Sequence, residues 1–367
     1  MEENLEGSSQ HWLTEQIHVL TSSNQFGLSK PVVVWSAASV PICYAESTDY
    51  YDRLQVVIPY ADDTLTWDII LHSSNTALYP DVVTAEEGFL PTIGNKPWNP
   101  ANSESLLDIV YDWVDQYKQY QFDRMKCFDS LRGHVEDIEN SPDIHCSVDG
   151  LIKQDGPDSG TAVICYNVPM PSFSSVPAGS RPTEKGWDDV VVVVKFPNYG
   201  KGRVSSSYIC TEEFEKFIGG RKNLHLPSFV PMCSISEYLM ECVTAVSTVV
   251  KGVIKELKKQ HGFIDSLKMK FPSQVLDFDE CNISLLLDRG DFRFLLLVSL
   301  GPNFQEKYVV NTTMLSVYQE KDGRTPYHQK RSLHLTSSSV NDMIDSFVRQ
   351  VDAYVPTFES ESARDGK

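Results

Sequence analysis

The segment "DRLQVVIPYADDTLTWDIIL" constrains the fold of this chain more than any other, because apolar residues recur at every second position on both sides of a turn. A period of two is typical of a β-strand with one buried face. The turn-forming residues Ala61-Asp62-Asp63 separate the two runs, which predicts an antiparallel hairpin. Pro59 has no N–H to donate, so we expect it at an edge or a bulge. The residues predicted to face the core are Leu54, Val56, Ile58, Tyr60, Leu65, Trp67, Ile69 and Leu71.

A second hairpin is predicted near the other end of the chain, in "NISLLLDRGDFRFLLLVSLG". Its turn is Arg289-Gly290-Asp291, and a further extended run, "EKYVVNTTMLSVYQ", follows it. The residues predicted to share its buried face are Ile283, Leu285, Leu287, Phe292, Phe294, Leu296 and Val298.

Helical patterns flank both hairpins. A short helix is predicted over Trp12–Leu20, and a longer one after Pro100 with Ser103 as its N-cap. The last helix is predicted to begin at the Ser337–Ser339 cluster. The apolar positions predicted to be buried are Leu106, Leu107, Val110, Val114 and Tyr117 in the second helix, and Val340, Met343, Ile344, Phe347, Val348, Val351 and Tyr354 in the last.

The middle of the chain has a different pattern. Residues 133–150 are polar and acidic and are interpreted as a link. Extended runs are predicted over Thr161–Val168, Asp189–Phe196 and Arg203–Cys210, the second covered on both faces, with an exposed or mobile loop over 168–187. A long helix is then predicted from Ser234, which with Glu237 has capping-box spacing, to about Gln260.

These patterns predict an α+β protein built from tandem units, each an antiparallel meander packed by helices. The predicted domains are 1–125, a divergent middle domain over 126–232, and 233–360, with a disordered acidic tail over 361–367. A chain of 367 residues is long enough for two or three cores.

Composition narrows the function class. The net charge of −18 argues against nucleic acid and anionic membranes as main partners, and no apolar run is long enough to span a membrane. The N-terminal segment lacks the pattern of a secretory signal, so we expect the chain in the cytoplasm or nucleus. The cysteines are scattered without a C-x-x-C pair, which in a reducing compartment predicts free thiols.

No set of residues supports catalysis. A JAMM-type zinc protease needs a His-x-His pair, and none occurs in the sequence. His145-Cys146 has no second ligand pair at metal spacing, and Gly200-Lys201-Gly202 leads into a strand pattern, which predicts a turn rather than a phosphate loop. We therefore predict no catalytic, metal-binding or cofactor-binding residue.

One basic concentration lies in the long predicted helix. It is interpreted as a solvated helix face, with a docking surface for an acidic partner as the alternative. Its members are Lys251, Lys255, Lys258, Lys259 and Lys268.

The stretch "YPDVVTAEEGFLPTIGNKPWNP" resembles the active-site region of a ubiquitin-conjugating enzyme, with Tyr79-Pro80, a loop, Trp98-Asn99-Pro100 and then a helix. Such an enzyme needs a nucleophilic cysteine in this loop. Here the cysteines stop at Cys43 and resume at Cys127, and the usual His-Pro-Asn triplet is also missing. Cys127 lies beyond the predicted helix and is interpreted as a bystander, so the unit is predicted to be catalytically inactive.

The hairpin segment, together with "GFLP", "WNPANSESLLDIVYDWVDQYKQYQ", "LHLPSFVPMCSISEYLMECV" and "LLLDRGDFRFLLLVSL", resembles the BRE family over nearly the full length. The resemblance implies tandem ubiquitin-E2-variant (UEV/RWD-like) units, the middle one degenerate. It also implies a scaffold subunit of BRISC and BRCA1-A type deubiquitinase complexes, with roles in the DNA damage response and cytosolic signalling. The implied partners are a JAMM (MPN+) protease that cleaves lysine-63-linked ubiquitin chains, an Abraxas-type MPN-minus subunit and a von Willebrand-A-like adaptor.

Two alternatives remain open from the sequence. A free-standing E2 variant would bind ubiquitin by itself and assist an active conjugating enzyme. A cryptic thiol enzyme would depend on one of the eight cysteines for its activity.

Overall fold

The computed structural model of the chain describes residues 11–23, 32–38, 53–72, 75–93, 96–156, 159–171, 190–230, 233–301, 304, 308–321, 325–335 and 339–365. Residues 40–45, most of the predicted 168–187 loop, Ser337, Ser338 and residues 366–367 lie outside these ranges, and so therefore does Cys43. Within them, no helix combines the length and apolar content needed to cross a bilayer.

The described residues form two compact units. The first holds those up to Met170 and from 190 to Val249, and the second holds Pro171 and those from Val250 onwards. All described strand pairs are antiparallel, and runs of consecutive strands are separated by helices, as in the α+β class. The domain boundaries at 125, 232 and 360 stay predictions.

The first unit begins with the predicted meander. Its helices and strands are α1 (His11–Ser22), β1 (Val33–Ala38), β2 (Arg53–Tyr60), β3 (Asp63–Ile70), β4 (Asp81–Thr84) and α2 (Ser105–Lys126). The strands lie in the order β1-β2-β3-β4. All eight residues predicted to face the core of the first hairpin are buried, which confirms its register. Pro59 lies past Val57, where the pairing of β2 with β1 ends, as a residue without an N–H requires.

The start of α2 differs from the prediction. Ser103 is not the N-cap, because the helix begins at Ser105 after Glu104. The buried face of α2 is also rotated about the helix axis relative to the predicted face. Ile109 and Trp113 are buried, whereas Leu107 and Val114 are only partly buried. A period of 3.6 residues predicts an apolar stripe along the helix but not which residues lie at its centre. The surface against which the helix packs determines the centre.

The middle region belongs to the same unit and forms a second sheet, in the order β5-β6-β7-β8. Its elements are α3 (Asp129–Glu139), α4 (Pro142–His145), β5 (Val148–Gly156), β6 (Ser159–Asn167), β7 (Val190–Pro197), β8 (Ser205–Cys210) and α5 (Glu212–Phe217). The three predicted strands are confirmed, and β7 is central, with Val190 to Val194 all buried. Gly200 has φ +88° in the turn after β7, as predicted for a turn rather than a phosphate loop.

The interpretation of residues 133–150 as a link is wrong. They hold most of α3, all of α4 and the start of β5. Leu131, Val135 and Ile138 share one helix face and are all buried. Only every third or fourth residue of this helix is buried, and the acidic residues between them make the helical period hard to recognise in the sequence.

The two sheets of the first unit share one apolar core. Residues of the second sheet, including Leu151, Val163 and Val193, belong to the same buried cluster as the first hairpin. The turn of that hairpin is tied to the second sheet by ion pairs from Lys195 to Asp62 (2.6 Å) and from Lys153 to Asp63 (2.7 Å).

A long helix, α6 (Ile235–Lys270), extends ten residues past the predicted end at Gln260. Its N-terminus is held by Asp137 of α3. Ser234 Oγ donates to Asp137 Oδ2 at 2.6 Å, and Ser236 donates through its N–H (2.9 Å, Oδ2) and its hydroxyl (2.8 Å, Oδ1). Ser234 Oγ also accepts the N–H of Glu237 at 3.3 Å, which confirms the predicted N-cap.

Replacing Asp137 by alanine should lower the free energy of unfolding by about 2 kcal/mol, because helix-capping donors lose their acceptor. Burial opposes ionisation of Asp137, but the hydrogen bonds from Ser234 and Ser236 outweigh it and lower its pKa. A lowered pKa stabilises the fold above the unfolded-state value of about 4, and that stabilisation is lost as the pH falls through the folded-state value.

Urea titrations from pH 7 to pH 3 should show this loss of stability in the native chain and a smaller loss in Asp137→Asn. Equal pH dependence of the two chains would contradict the assignment. Glu136→Ala, on the exposed neighbour, is the control.

The second unit has one five-stranded sheet, in the order β13-β12-β11-β10-β9. Its elements are the end of α6, β9 (Val275–Phe278), β10 (Asn282–Arg289), β11 (Phe292–Leu300), β12 (Val309–Lys321), β13 (Thr325–His334) and α7 (Val340–Asp365). The predicted hairpin β10–β11 is confirmed, and its seven core residues are all buried.

The predicted disordered tail is wrong over the described residues, because α7 runs to Asp365 and buries Phe358 and Ser362. In this last helix Val340 and Val348 are only partly buried, whereas Met343, Phe347 and Val351 lie in the core as predicted.

Candidate partner-binding site

The segment between β4 and α2 contains the stretch whose sequence resembles the active-site region of a conjugating enzyme. The two motifs that suggested this likeness lie against the same core. The ring of Tyr79 meets that of Trp113 of α2 edge-on at 6.3 Å, and Pro80 is buried. Trp98 donates its indole N–H to the carbonyl of Thr76 at 2.7 Å, which closes the segment into a loop.

The entry into α2 is fixed by a side chain from α1. Gln16 is fully buried; its Nε2 donates to the carbonyl of Pro100 at 3.1 Å, and its Oε1 accepts the N–H of Leu106 at 2.8 Å. Ser105 Oγ accepts the N–H of Asn99 at 2.9 Å. Because these bonds satisfy backbone groups at the helix start, the turn at Asn99-Pro100 is rigidly placed.

Phe89 anchors the middle of the segment. Its ring is buried among Tyr117 (4.9 Å between centroids), Tyr120 (5.3 Å) and Trp67 (6.2 Å). Tyr120 also donates its hydroxyl to the carbonyl of Glu87 at 2.9 Å. Aromatic pairs at these distances stabilise beyond the area that they bury.

A second anchor follows three residues later. Gln116 of α2 accepts the N–H of Thr92 at 2.8 Å and its hydroxyl at 3.1 Å, and donates to the carbonyl of Thr92 at 3.1 Å. One side chain therefore satisfies both backbone groups of Thr92, as a neighbouring strand would.

Two large apolar side chains stand out from this anchored backbone. Leu90 is 82% exposed and Ile93 is 76% exposed. We call residues 89–93 the apolar loop. Single exposed apolar residues are ordinary, but two side chains three residues apart on a loop fixed at both anchors form a preorganised contact.

A polar network lies beside the loop. Tyr117 donates its hydroxyl to Glu86 Oε2 at 3.3 Å, and the Arg124 guanidinium pairs with the same carboxylate. Burial raises the pKa of Tyr117, with the negative charge of Glu86 adding to it, so the phenol stays protonated and remains a donor. The carboxylate of Glu86 is therefore bound by Tyr117 and Arg124 and is not a free acid or base beside the loop.

The cysteines of the sequence lie outside the apolar loop. None lies between Cys43 and Cys127 in the sequence. Cys127, Cys146 and Cys233 are exposed, whereas Cys165 and Cys242 are buried. Burial raises the pKa of Cys242 to about 11, which keeps it as the unreactive thiol at neutral pH.

Within the described ranges, no three His, Cys, Asp or Glu side chains are grouped to hold an ion.

Two of the five lysines of the predicted basic face form ion pairs with neighbouring acids. Lys259 pairs with Glu256 at 3.0 Å, and Lys268 pairs with Asp265 at 3.3 Å. A docking role for that face stays a prediction.

Sequence reasoning placed the loop but missed its anchors. "GFLP" marked Phe89 and Leu90 as part of a resemblance, without showing that one is buried and the next exposed. Nothing in the sequence pairs Gln116 with Thr92, because the two are joined only by the fold.

Comparison with known proteins agrees with the resemblance. The family described as "Brain and reproductive organ-expressed protein (BRE)" matches residues 15–319. A relative from Danio rerio named "BRISC and BRCA1-A complex member 2" is 24% identical over 330 residues, covering 86% of this chain and 85% of the relative. A relative of the same name from Branchiostoma floridae is 22% identical over 289 residues, covering 75% and 74%. The family match spans most of the chain, and the protein therefore belongs to the BRE family.

Proposed function

We propose that this chain is a non-catalytic scaffold subunit of a deubiquitinase complex of the BRISC and BRCA1-A type. The relatives from Danio rerio and Branchiostoma floridae are named as members of these complexes. The proposed partners are a JAMM-type protease that cleaves lysine-63-linked ubiquitin chains, an Abraxas-type MPN-minus subunit and a von Willebrand-A-like adaptor. The proposed places of action are the cytoplasm and the nucleus.

The fold part of the proposal is that the meanders are ubiquitin-E2-variant units. Each end of the chain has an antiparallel sheet covered by helices, with a sharp hairpin at its centre. On this reading the enzyme shape is kept as a binding surface after loss of the chemistry.

The observation that carries the proposal is the apolar loop. In the place of a catalytic cysteine stands a segment held by Phe89 and Gln116, with Leu90 and Ile93 exposed. A fixed backbone has little entropy left to lose on binding, so burial of these two side chains in a partner's pocket contributes directly to affinity.

The test is to purify the tagged chain from its own cells and assay lysine-63-linked ubiquitin chains with and without a zinc chelator. Co-purifying cleavage that stops on chelation is the expected result, because a JAMM protease needs its metal. Absence of cleavage, or cleavage that persists on chelation, would contradict the proposal. Ubiquitin binding by the isolated chain without any protease would instead favour a free-standing E2 variant.

A further inference from the structure

The second unit has an open sheet edge at β9. This strand pairs with β10 on one side, through Asp277 with Ser284 and Phe278 with Ile283. On its other side, no strand of the described chain pairs with it. An open edge presents backbone N–H and C=O groups to any extended segment that reaches it.

The side chains of this edge belong to two chemical classes. Leu276 is 59% exposed and Phe278 is 51% exposed, and the residues after each of them, Asp277 and Asp279, are exposed acids. A register shift interrupts the alternation at Leu276, so Val275 lies opposite the buried Leu285, whereas Asp277 lies opposite Ser284 and points to the other side of the sheet.

Phe278 is held in place from within the unit. Phe278 lies opposite Ile283, which is buried, so its ring lies on the core side of the sheet. The ammonium of Lys268 lies 3.7 Å from the centroid of this ring. Lys268 is paired with Asp265, and the neighbouring Lys270 with Asp345 at 2.8 Å, so both basic groups are neutralised locally.

We propose that β9 is a docking strand for an extended segment of a partner protein in which apolar residues alternate with lysine or arginine. The segment adds a sixth strand to the sheet. An apolar side chain of the segment lies across from Phe278, and the basic side chain next to it in the segment lies across from Asp277. Opposite charges and apolar pairs directly across two strands are both stabilising.

The negative charge at this edge selects against a second copy of this chain. Pairing β9 with itself would bring Asp277 and Asp279 of both copies together, and like charges across strands are destabilising. Many proteins protect short edges with charge, usually lysine, and with a bulge, and β9 has a register shift opposite Ser284 and Leu285. Protection alone does not account for two exposed apolar side chains on the same edge.

The inference is independent of which complex the chain joins, and it is tested on the purified full-length chain. The probe is a fluorescent peptide of about eight residues alternating valine and lysine, followed by anisotropy. We expect saturable binding, no binding of a valine–glutamate peptide, and about tenfold weaker binding to Asp277→Lys. Asp291→Lys makes the same charge change on an exposed turn of the same unit and should bind like the native chain.

Backbone pairing is tested separately with two N-methylated peptides, one methylated at every valine and one at every lysine. Alternate N–H groups of a strand point to opposite sides, so one of the two should lose binding and the other keep it. The proposal is overturned if the native chain does not bind the parent peptide, if Asp291→Lys weakens binding as much as Asp277→Lys, or if both methylated peptides bind like the parent.

Discussion

The double variant Leu90→Ser/Ile93→Ser should lose the co-purifying deubiquitinase while the chain itself stays folded. Both side chains are mostly exposed in the free chain, at 82% and 76%, so their removal leaves the core intact. In a complex they would be buried anchors, and losing two anchors weakens binding about 100-fold. The measurement is the yield of chelator-sensitive cleavage per mole of tagged chain, beside its melting temperature.

Two further variants make this result specific. Met269→Ser removes an equally exposed apolar side chain from the other unit and should retain the activity. Gln116→Ala leaves Leu90 and Ile93 in place but removes the acceptor and donor that hold Thr92. It should weaken the complex by a smaller factor, because ordering of the loop then costs entropy on binding. Full recovery of the protease with the double variant would refute the apolar loop as the contact.

Replacing Phe358 by alanine should lower the free energy of unfolding of the second unit by about 3–5 kcal/mol, as for other buried aromatic residues. Phe358 has no exposed surface, and its ring centroid lies 5.8 Å from that of Tyr327, 5.9 Å from that of Phe292 and 6.4 Å from that of Phe294. Truncation would leave a cavity between α7 and the sheet.

Urea denaturation measures this loss, with Glu359→Ala as the matched control on the exposed side of the same helix. The control should change stability by about 0.5 kcal/mol or less. A decrease in the free energy of unfolding of less than about 1 kcal/mol for Phe358→Ala would mean that the end of α7 frays in solution. Only a loosely packed aromatic ring can be removed with so small an effect. The outcome decides whether the acidic end of the chain is a structural element.

Some features of this fold are set by local sequence pattern, and others are set only by contacts between distant residues. Both hairpins were predictable because the pattern and the structure share a period of two, and a slip by one residue would expose the whole buried set, from Leu54 to Leu71. The N-cap Ser234 was predictable because its bond to Glu237 is local. The helices α3 and α4 were missed because acidic residues dilute an apolar stripe with few members.

The candidate site divides in the same way. The missing nucleophile is a property of the sequence and needed no coordinates. The hydrogen bonds of Gln116 to Thr92 join residues that are distant in the sequence. The burial of Phe89 next to the exposed Leu90 distinguishes two adjacent apolar residues only by their position in the fold. No local propensity encodes them.

The sequence by itself determined the family, the α+β class, the two hairpins and the lack of a cysteine at the loop. These follow from periodicity and residue type, which act over a few residues. Only the tertiary structure decided which apolar side chains remain exposed after the cores are filled, and that β9 ends its sheet without a further strand in the described chain. Burial is a property of all neighbours together, so a side chain such as Leu90 becomes a binding anchor only when the fold leaves it uncovered.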